Sequence, residues 1–240
     1  MSALLELRAV SKSYGALKVT DNLSLTLAGG EALGVLGPNG AGKSTMFNLI
    51  TGDVRPNQGS VHYSGEDITR LPASARCRLG IGRSYQVPHP FAGMTVFENL
   101  MVGAMFGANL NEDEAATYCV SVLERTGLLR KANQLAGSLS LLDRKRLEMA
   151  RALATRPKLL LLDEIAGGLT DHEAQALVGT IKDIRAEGVS IVWIEHVVHA
   201  LLAVVERLIV INFGALLKEG EPQAVMNSRE VREVYMGIEA

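Results

Sequence analysis

The run Gly37-Pro38-Asn39-Gly40-Ala41-Gly42-Lys43-Ser44 fits the pattern G-x-x-x-x-G-K-[ST]. These residue types are what a polyphosphate requires. Glycines let the backbone N–H groups of Gly37, Asn39, Gly40, Ala41 and Gly42 curl round phosphate oxygens. A helix that follows points its positive end at the same charge. Lys43 can reach the β- and γ-phosphates, the Ser44 hydroxyl can ligate Mg²⁺, and Thr45 adds a donor in the first turn. The residues before the loop read as a strand and those after it as a helix, which is the context this motif needs. The pattern predicts a nucleoside triphosphate site without naming the class of enzyme.

A second chemical group lies far along the chain. Leu159-Leu160-Leu161-Leu162-Asp163-Glu164 is an apolar strand that ends in two carboxylates. Ligands of open α/β sheets sit beyond the carboxyl ends of strands. Asp163 is therefore expected to hold Mg²⁺ through water, and Glu164 to act as a general base or to position the attacking water. Three more residues are candidates in context. His196 follows the apolar strand 189–194 and could hydrogen-bond a γ-phosphate; alone it reads as a surface histidine. Gln86 follows the strand 81–85 and alone reads as a loop amide. Tyr14, in Ser11-Lys12-Ser13-Tyr14-Gly15, could stack on adenine or simply pack in a turn.

The elements that must position these residues can be read from periodicity. Residues 4–10 alternate loosely and predict an edge strand; 23–27 alternate strictly and predict a half-buried one. Residues 32–36 form a short apolar strand, and a helix is expected over 43–51 with Gly52 ending it. Short strands follow at 60–63 and 81–85. From about 88 to 156 the pattern is helical, with helices predicted at 95–107, 111–126 and 140–154, which reads as a helical subdomain inserted into an α/β core. Strand 158–162 is followed by a helix with Thr170 and Glu173 as a capping box, an apolar face of Ala174, Leu177, Val178, Ile181 and Ile184, and Gly188 at its end. Strand 189–194 is apolar throughout, as in a parallel sheet covered on both faces. Strands at 207–212 and 215–218 precede a helical tail.

Composition sets limits. The chain has 240 residues, and 48% hydrophobic with 21% charged residues predicts one folded domain over 1–240. A net charge of -2 gives no global basic field for nucleic acid. The cluster Arg144-Lys145-Arg146 reads as the solvated face of a helix. Cys77 and Cys119 stand in unrelated contexts and form neither a disulfide framework nor a metal-ligand spacing. Glu6 and Arg8 interrupt the apolar N-terminal run, so it does not read as a signal peptide. No stretch reaches the roughly 18 apolar residues of a membrane span, so any membrane must be crossed by another chain.

These elements, in this order, resemble the ATP-binding cassette family from about residue 4 to at least 222. The resemblance implies the ABC fold of the P-loop NTPases: a parallel-core sheet, an antiparallel β subdomain and an inserted helical subdomain. It makes Tyr14 the adenine-stacking aromatic, Gly37–Ser44 the Walker A loop and Gln86 the Q-loop glutamine, which touches Mg²⁺ and couples to a membrane subunit. Asp163 and Glu164 become Walker B and the catalytic glutamate, and His196 the switch histidine. It also implies ATP hydrolysis in a head-to-tail dimer, with an identical or a different cassette, that sandwiches two ATP molecules. Permease subunits, indirectly a substrate-binding protein, and a peripheral position on the cytoplasmic face of the plasma membrane follow from the same likeness. Within the family the chain is most similar to ATP-binding subunits of branched-chain amino-acid importers. That likeness rests on Phe47-Asn48-Leu49-Ile50-Thr51-Gly52, Gly65-Glu66-Asp67-Ile68-Thr69, the run from Leu79 to Gln86, and Met94-Thr95-Val96-Phe97-Glu98-Asn99-Leu100. Urea or amide importers and the lipopolysaccharide export ATPase look similar, and a cassette serving iron–sulfur assembly is a rival of another class.

The sequence departs from the family pattern at three places. The signature Leu-Ser-Gly-Gly-Gln is here Leu139-Ser140-Leu141-Leu142-Asp143. Ser140 can still cap a helix whose dipole faces the partner's phosphate, whereas Asp143 would repel a γ-phosphate if it pointed at one. Ile165 stands for the proline after the catalytic glutamate, and Thr170 for the D-loop aspartate.

Overall fold

Strands apolar at every position must be covered on both faces, and the computed structural model, which describes residues 3–236, shows how. In chain order the elements are β1 (Ala3–Tyr14), β2 (Leu17–Ala28), β3 (Ala32–Leu36), α1 (Lys43–Thr51), β4 (Gln58–Tyr63), β5 (Glu66–Asp67), α2 (Ala73–Arg78) and β6 (Ile81–Arg83). Next come α3 (Val96–Val102), α4 (Glu112–Arg125), α5 (Leu141–Ala154), β7 (Leu159–Asp163), α6 (Asp171–Ala186) and β8 (Ser190–Ile194). The chain ends with α7 (Val198–Leu202), β9 (Arg207–Asn212), β10 (Ala215–Gly220), α8 (Pro222–Asn227) and α9 (Arg229–Met236). Six strands form one sheet in the order β10-β9-β3-β8-β7-β6, parallel except for the β9–β10 hairpin. A second, antiparallel sheet has the order β2-β1-β4-β5.

The period of two along the central strands divides the core. Leu160 and Leu162 of β7, with Ile191 and Trp193 of β8, face the helices α3 to α6. Leu159, Leu161, Val192 and Ile194 face α1 and the antiparallel sheet. All eight are fully buried, and each side chain of this kind removed from water contributes about 1.5–3 kcal/mol. The strands that carry the chemistry are thus locked from both sides.

Local signals explain the element ends. Thr170 and Glu173 make the expected capping box on α6, and Thr95 with Glu98 and Asn111 with Glu114 make two more, on α3 and α4. Gly52 ends α1 in the left-handed conformation. Arg76, fully buried on α2, donates to the carbonyls of Leu49 and Ile50 at 2.7 and 2.9 Å, so a positive charge seals the C-terminal end of the phosphate-loop helix.

Three expectations are corrected. Residues 4–10 do not form an edge strand: β1 pairs with β2 on one side and β4 on the other. The irregular alternation that suggested an edge comes from a register shift between Leu7 and Val10, where Ala9 has a φ of 50°. The helix expected over 95–107 is α-helical only to Val102 and continues as a π-turn over Gly103–Gly107. The Arg144-Lys145-Arg146 cluster is not a solvated face, because Lys145 is buried. The helical region lies between β6 and β7, as expected. Among the described residues no helix is long and apolar enough to cross a membrane.

Candidate active site

β3 lies between β8 and β9, and the loop leaving it turns directly into α1. Two glycines of this loop are fixed by close approach. A Cβ on Gly37 would lie 2.3 Å from the Ile211 carbonyl oxygen, and one on Gly42, where φ is 100°, would lie 2.4 Å from that of Val19. The loop is therefore packed between β9 and β2 by its own backbone. α1 begins at Lys43 with no side-chain cap and no acidic residue in its first turn, so its N-terminal dipole is left to an outside anion.

Asn39, Gly40, Ala41, Gly42, Lys43, Ser44, Thr45, Gln86 and Glu164 line one open depression, and His196 joins it on the side of Gly37 and Pro38. Residues from four distant parts of the chain thus meet at the carboxyl ends of β3, β6, β7 and β8. Lys43 folds back over the loop, its Nζ donating to the carbonyls of Gly37 (2.7 Å) and Pro38 (3.1 Å). Burial lowers its ammonium below the ordinary lysine value, while Glu164 and Asp163 oppose that shift.

The Glu164 carboxylate is held from both sides. Gln86 Nε2 donates to its Oε2 at 2.5 Å, and His196 Nε2 lies 2.9 Å from its Oε1. The Glu164 backbone has a φ of 47° and donates its N–H to the Ile194 carbonyl at 2.9 Å. Such a left-handed position costs a non-glycine residue about 1–3 kcal/mol, so its surroundings must enforce it.

Asp163 is 3% exposed, and burial raises its carboxyl above the usual aspartate range although Arg83 beside it pulls the other way. Its Oδ2 accepts from Arg83 Nη2 at 2.9 Å, whereas Oδ1 is buried without a partner. An orphaned carboxylate oxygen at the strand end, with the exposed Ser44 hydroxyl in the neighbouring loop, is a hard-oxygen donor set that fits Mg²⁺.

Asp163, though next to Glu164, is buried and does not line this depression, and two predicted residues stand apart from it altogether. Tyr14 ends β1 half-exposed, with Lys12 Nζ 5.3 Å from its ring centre, and does not line the depression. Ser140 caps α5, accepting from the Asp143 N–H at 3.3 Å while its hydroxyl donates to Asp143 Oδ2 at 2.7 Å. Asp143 does not offer a free charge to a phosphate. It is buried, paired with Lys131 and flanked by Arg146. Burial works to raise its carboxyl, but the hydrogen bonds from Lys131 and Ser140 outweigh that and hold it below the usual range. Thr170, at the D-loop aspartate position, serves as the cap of α6.

The sequence reading missed Arg83, Lys145 and Glu195 as parts of the site. Arg83 hides in a short strand whose pairing with β7 has no local signal. Glu195 is 1% exposed at the end of β8 and accepts from the N–H groups of Ala166 (2.6 Å) and His196 (2.8 Å). A charged residue directly after an apolar strand was the available hint.

A phosphate loop, a strand-end carboxylate pair and a histidine on a parallel sheet define a P-loop nucleotide hydrolase, and comparison with known proteins narrows the class. The ABC transporter family matches residues 20–167. The lipopolysaccharide export system ATP-binding protein of Haemophilus influenzae is 36% identical over 235 residues, covering 98% of each chain. The high-affinity branched-chain amino acid transport ATP-binding protein BraF of Pseudomonas aeruginosa is 34% identical over 249 residues, again covering 98% of each. A nucleotide-free ATP-binding cassette from an ABC transporter superposes with a TM-score of 0.91 at 30% identity, covering 99% of this chain and 100% of that one. The chain belongs to the ABC transporter family, as an ATP-binding subunit. It is an ATPase, and its ATP hydrolysis powers transport.

Proposed function

We propose that this chain drives import of branched-chain amino acids, or of related amino acids and amides, as one cassette of a dimer that closes on two molecules of MgATP. The observation that carries the hydrolytic part is the convergence of Gln86 and His196 on the Glu164 carboxylate beside the Lys43 loop. Lys43 and the loop N–H groups bind the phosphates. Ser44, Gln86 and, through water, Asp163 would hold a Mg²⁺ ion, which would offset phosphate charge. Glu164 takes the proton of a water aligned with the γ-phosphate, and His196 and the Ser140 of the facing cassette hold the developing charge. Tyr14, exposed at the end of β1, stacks on the adenine. The loop after Gln86 passes the closing motion to permease subunits, and the chain sits peripherally on the cytoplasmic face of the membrane. A substrate-binding protein acts upstream of the permease, and nothing in the charge balance favours nucleic acid.

The importer reading is supported by the likeness to BraF and by the segments around Asn48, Asp67 and Gln86. The relative named for lipopolysaccharide export supports a second reading of equal identity range. Hydrolysis by the isolated chain, measured at several protein concentrations with the mass in solution followed by light scattering, tests the dimer: a rate rising faster than linearly is expected, and a rate that stays proportional where only monomer is present would exclude assembly of the site from two copies. Capture of the tagged chain with its membrane subunits tests the cargo. Stimulation by an amino-acid-loaded binding protein is expected; stimulation by lipopolysaccharide would move the reading to export.

The altered segment has its own test. Ser140 Oγ is turned toward Asp143, and Leu141, half-exposed, occupies the first position of α5 where the family has glycine. This chain's segment is therefore the weaker cap for a partner's γ-phosphate. Replacing Leu141 and Leu142 by glycine is expected to raise the rate of a reconstituted dimer about fivefold, the equivalent of one hydrogen bond of ~1 kcal/mol. It should also cost the helix about 0.5–1 kcal/mol per glycine in thermal stability. An unchanged rate sets the idea aside.

A further inference from the structure

Lys145 lies on the first turns of α5, the helix that begins after Ser140, and is 5% exposed. A buried ammonium must satisfy its donors. Its Nζ donates to the backbone carbonyl of Gln86 at 3.0 Å and to that of Glu164 at 2.8 Å. Neither bond is to a carboxylate, so the charge is used to hold main chain. Burial lowers the Lys145 ammonium, and the nearby charges of Glu195, Glu164 and Asp163 oppose that shift. Glu195 does the complementary work from β8. Its carboxylate binds the N–H groups of Ala166 and His196. The loop after β7 is therefore gripped at Glu164 O by a buried cation and at Ala166 N by a buried anion, and Glu164 itself is the residue held at a φ of 47°.

We infer that Lys145 is a positioning residue for hydrolysis: by bridging the Gln86 and Glu164 carbonyls it fixes the distance between the two loops and keeps the Glu164 carboxylate aimed while α5 is docked. This rests on the reading of Glu164 as the hydrolytic base. Lys145 does not line the nucleotide depression, so it acts on the reaction through these two loops and not through nucleotide affinity. The same side chain joins the helix that begins at Ser140 to the loops of this chain's own site.

The test compares Lys145→Met, which keeps the aliphatic stem and removes the donors, with Lys145→Arg, which keeps charge and donors. In Lys145→Met the turnover number is expected to fall about tenfold or more, the scale of a small misplacement of reacting groups. Its MgATP dissociation constant should stay at the wild-type value. Hydrogen exchange should quicken in residues 85–89 and 163–168 and nowhere else, and Lys145→Arg should recover both properties. Wild-type turnover and exchange in Lys145→Met would overturn the inference. So would exchange that quickens along the whole chain with affinity and turnover falling together, because that is a purely structural loss. Where the isolated chain turns over no ATP, the exchange pattern decides. Glu164→Gln measured alongside separates the two readings. An inactive Glu164→Gln beside a fully active Lys145→Met removes the role of Lys145 alone; an active Glu164→Gln removes the base.

Discussion

Glu164→Gln is expected to lower ATP turnover by about 10²–10⁴-fold, the span attributable to a positioned general base, while MgATP binding persists. The carboxylate accepts from Gln86 and lies within hydrogen-bond distance of His196, and its side chain is only 17% exposed. A glutamine side chain has the same shape. With its oxygen toward Gln86 and its amide nitrogen toward His196, it can keep both contacts if the histidine presents an unprotonated Nε2. The backbone at 164 keeps its bonds to Ile194 and Lys145, and glutamine at a φ of 47° carries the same conformational cost as glutamate. Stability should therefore change little, and on the proposed mechanism the function lost is proton acceptance. Nucleotide-loaded dimer should accumulate, visible as a shift to the dimer on size exclusion in the presence of MgATP. Turnover close to wild type would remove Glu164 from the base role and leave water alignment to Gln86 and His196.

The parts of this site legible in the sequence are those whose chemistry is local. The Lys43 loop is contiguous, its glycines are demanded by neighbouring backbone, and the helix that completes it follows at once. Asp163 and Glu164 were legible because an all-apolar strand ending in carboxylates has few other uses, and the capping box at Thr170 because it spans four residues. Tertiary placement was not legible. The role of Arg83 depends on β6 lying beside β7, a parallel pairing between segments almost 80 residues apart, with no turn to announce it. Lys145 misled for a related reason: three consecutive basic residues on a helix look solvated, yet 100° of rotation per residue leaves Arg144 exposed, Arg146 partly buried and the middle one in the core. Asp143 misled through charge. Its sign was evident, but the Lys131 that neutralises it lies in a separate short turn before α5.

Arg83→Met is expected to destabilise the chain by about 3–5 kcal/mol near neutral pH, the usual consequence of removing one partner of a buried ion pair. The Arg83 side chain is 7% exposed and the Asp163 side chain 5%. Arg83 donates to Asp163 at 2.9 Å and to Asn48 Oδ1 at 2.6 Å, lies 3.5 Å from Asp53, and stacks over the rings of Phe47 and Tyr85. Methionine can fill part of the space between those rings, but it leaves a buried carboxylate with neither oxygen bonded. The Asp163 carboxyl is already raised by burial in the wild-type protein, and loss of Arg83 must raise it further. A carboxyl whose folded pKa lies above its unfolded one lowers stability at high pH, and this penalty fades as pH falls through the folded pKa toward the ordinary value of about 3.9. The deficit of Arg83→Met should therefore be largest at neutral and alkaline pH and shrink on acidification, the reverse of ordinary acid denaturation. The double variant Arg83→Met/Asp163→Asn should recover much of the lost stability, while its MgATP affinity falls below wild type if Asp163 has the proposed metal role. Denaturant unfolding of the four chains in the cycle, repeated from about pH 8 down to about pH 5, isolates the pair energy, expected to reach the ~3 kcal/mol upper end for groups in contact. A deficit independent of pH, unrelieved by Asp163→Asn, would assign the stability to the packing of Arg83 on Phe47 and Tyr85 instead. Arg83 would then have no part in opposing the burial that raises the Asp163 carboxyl.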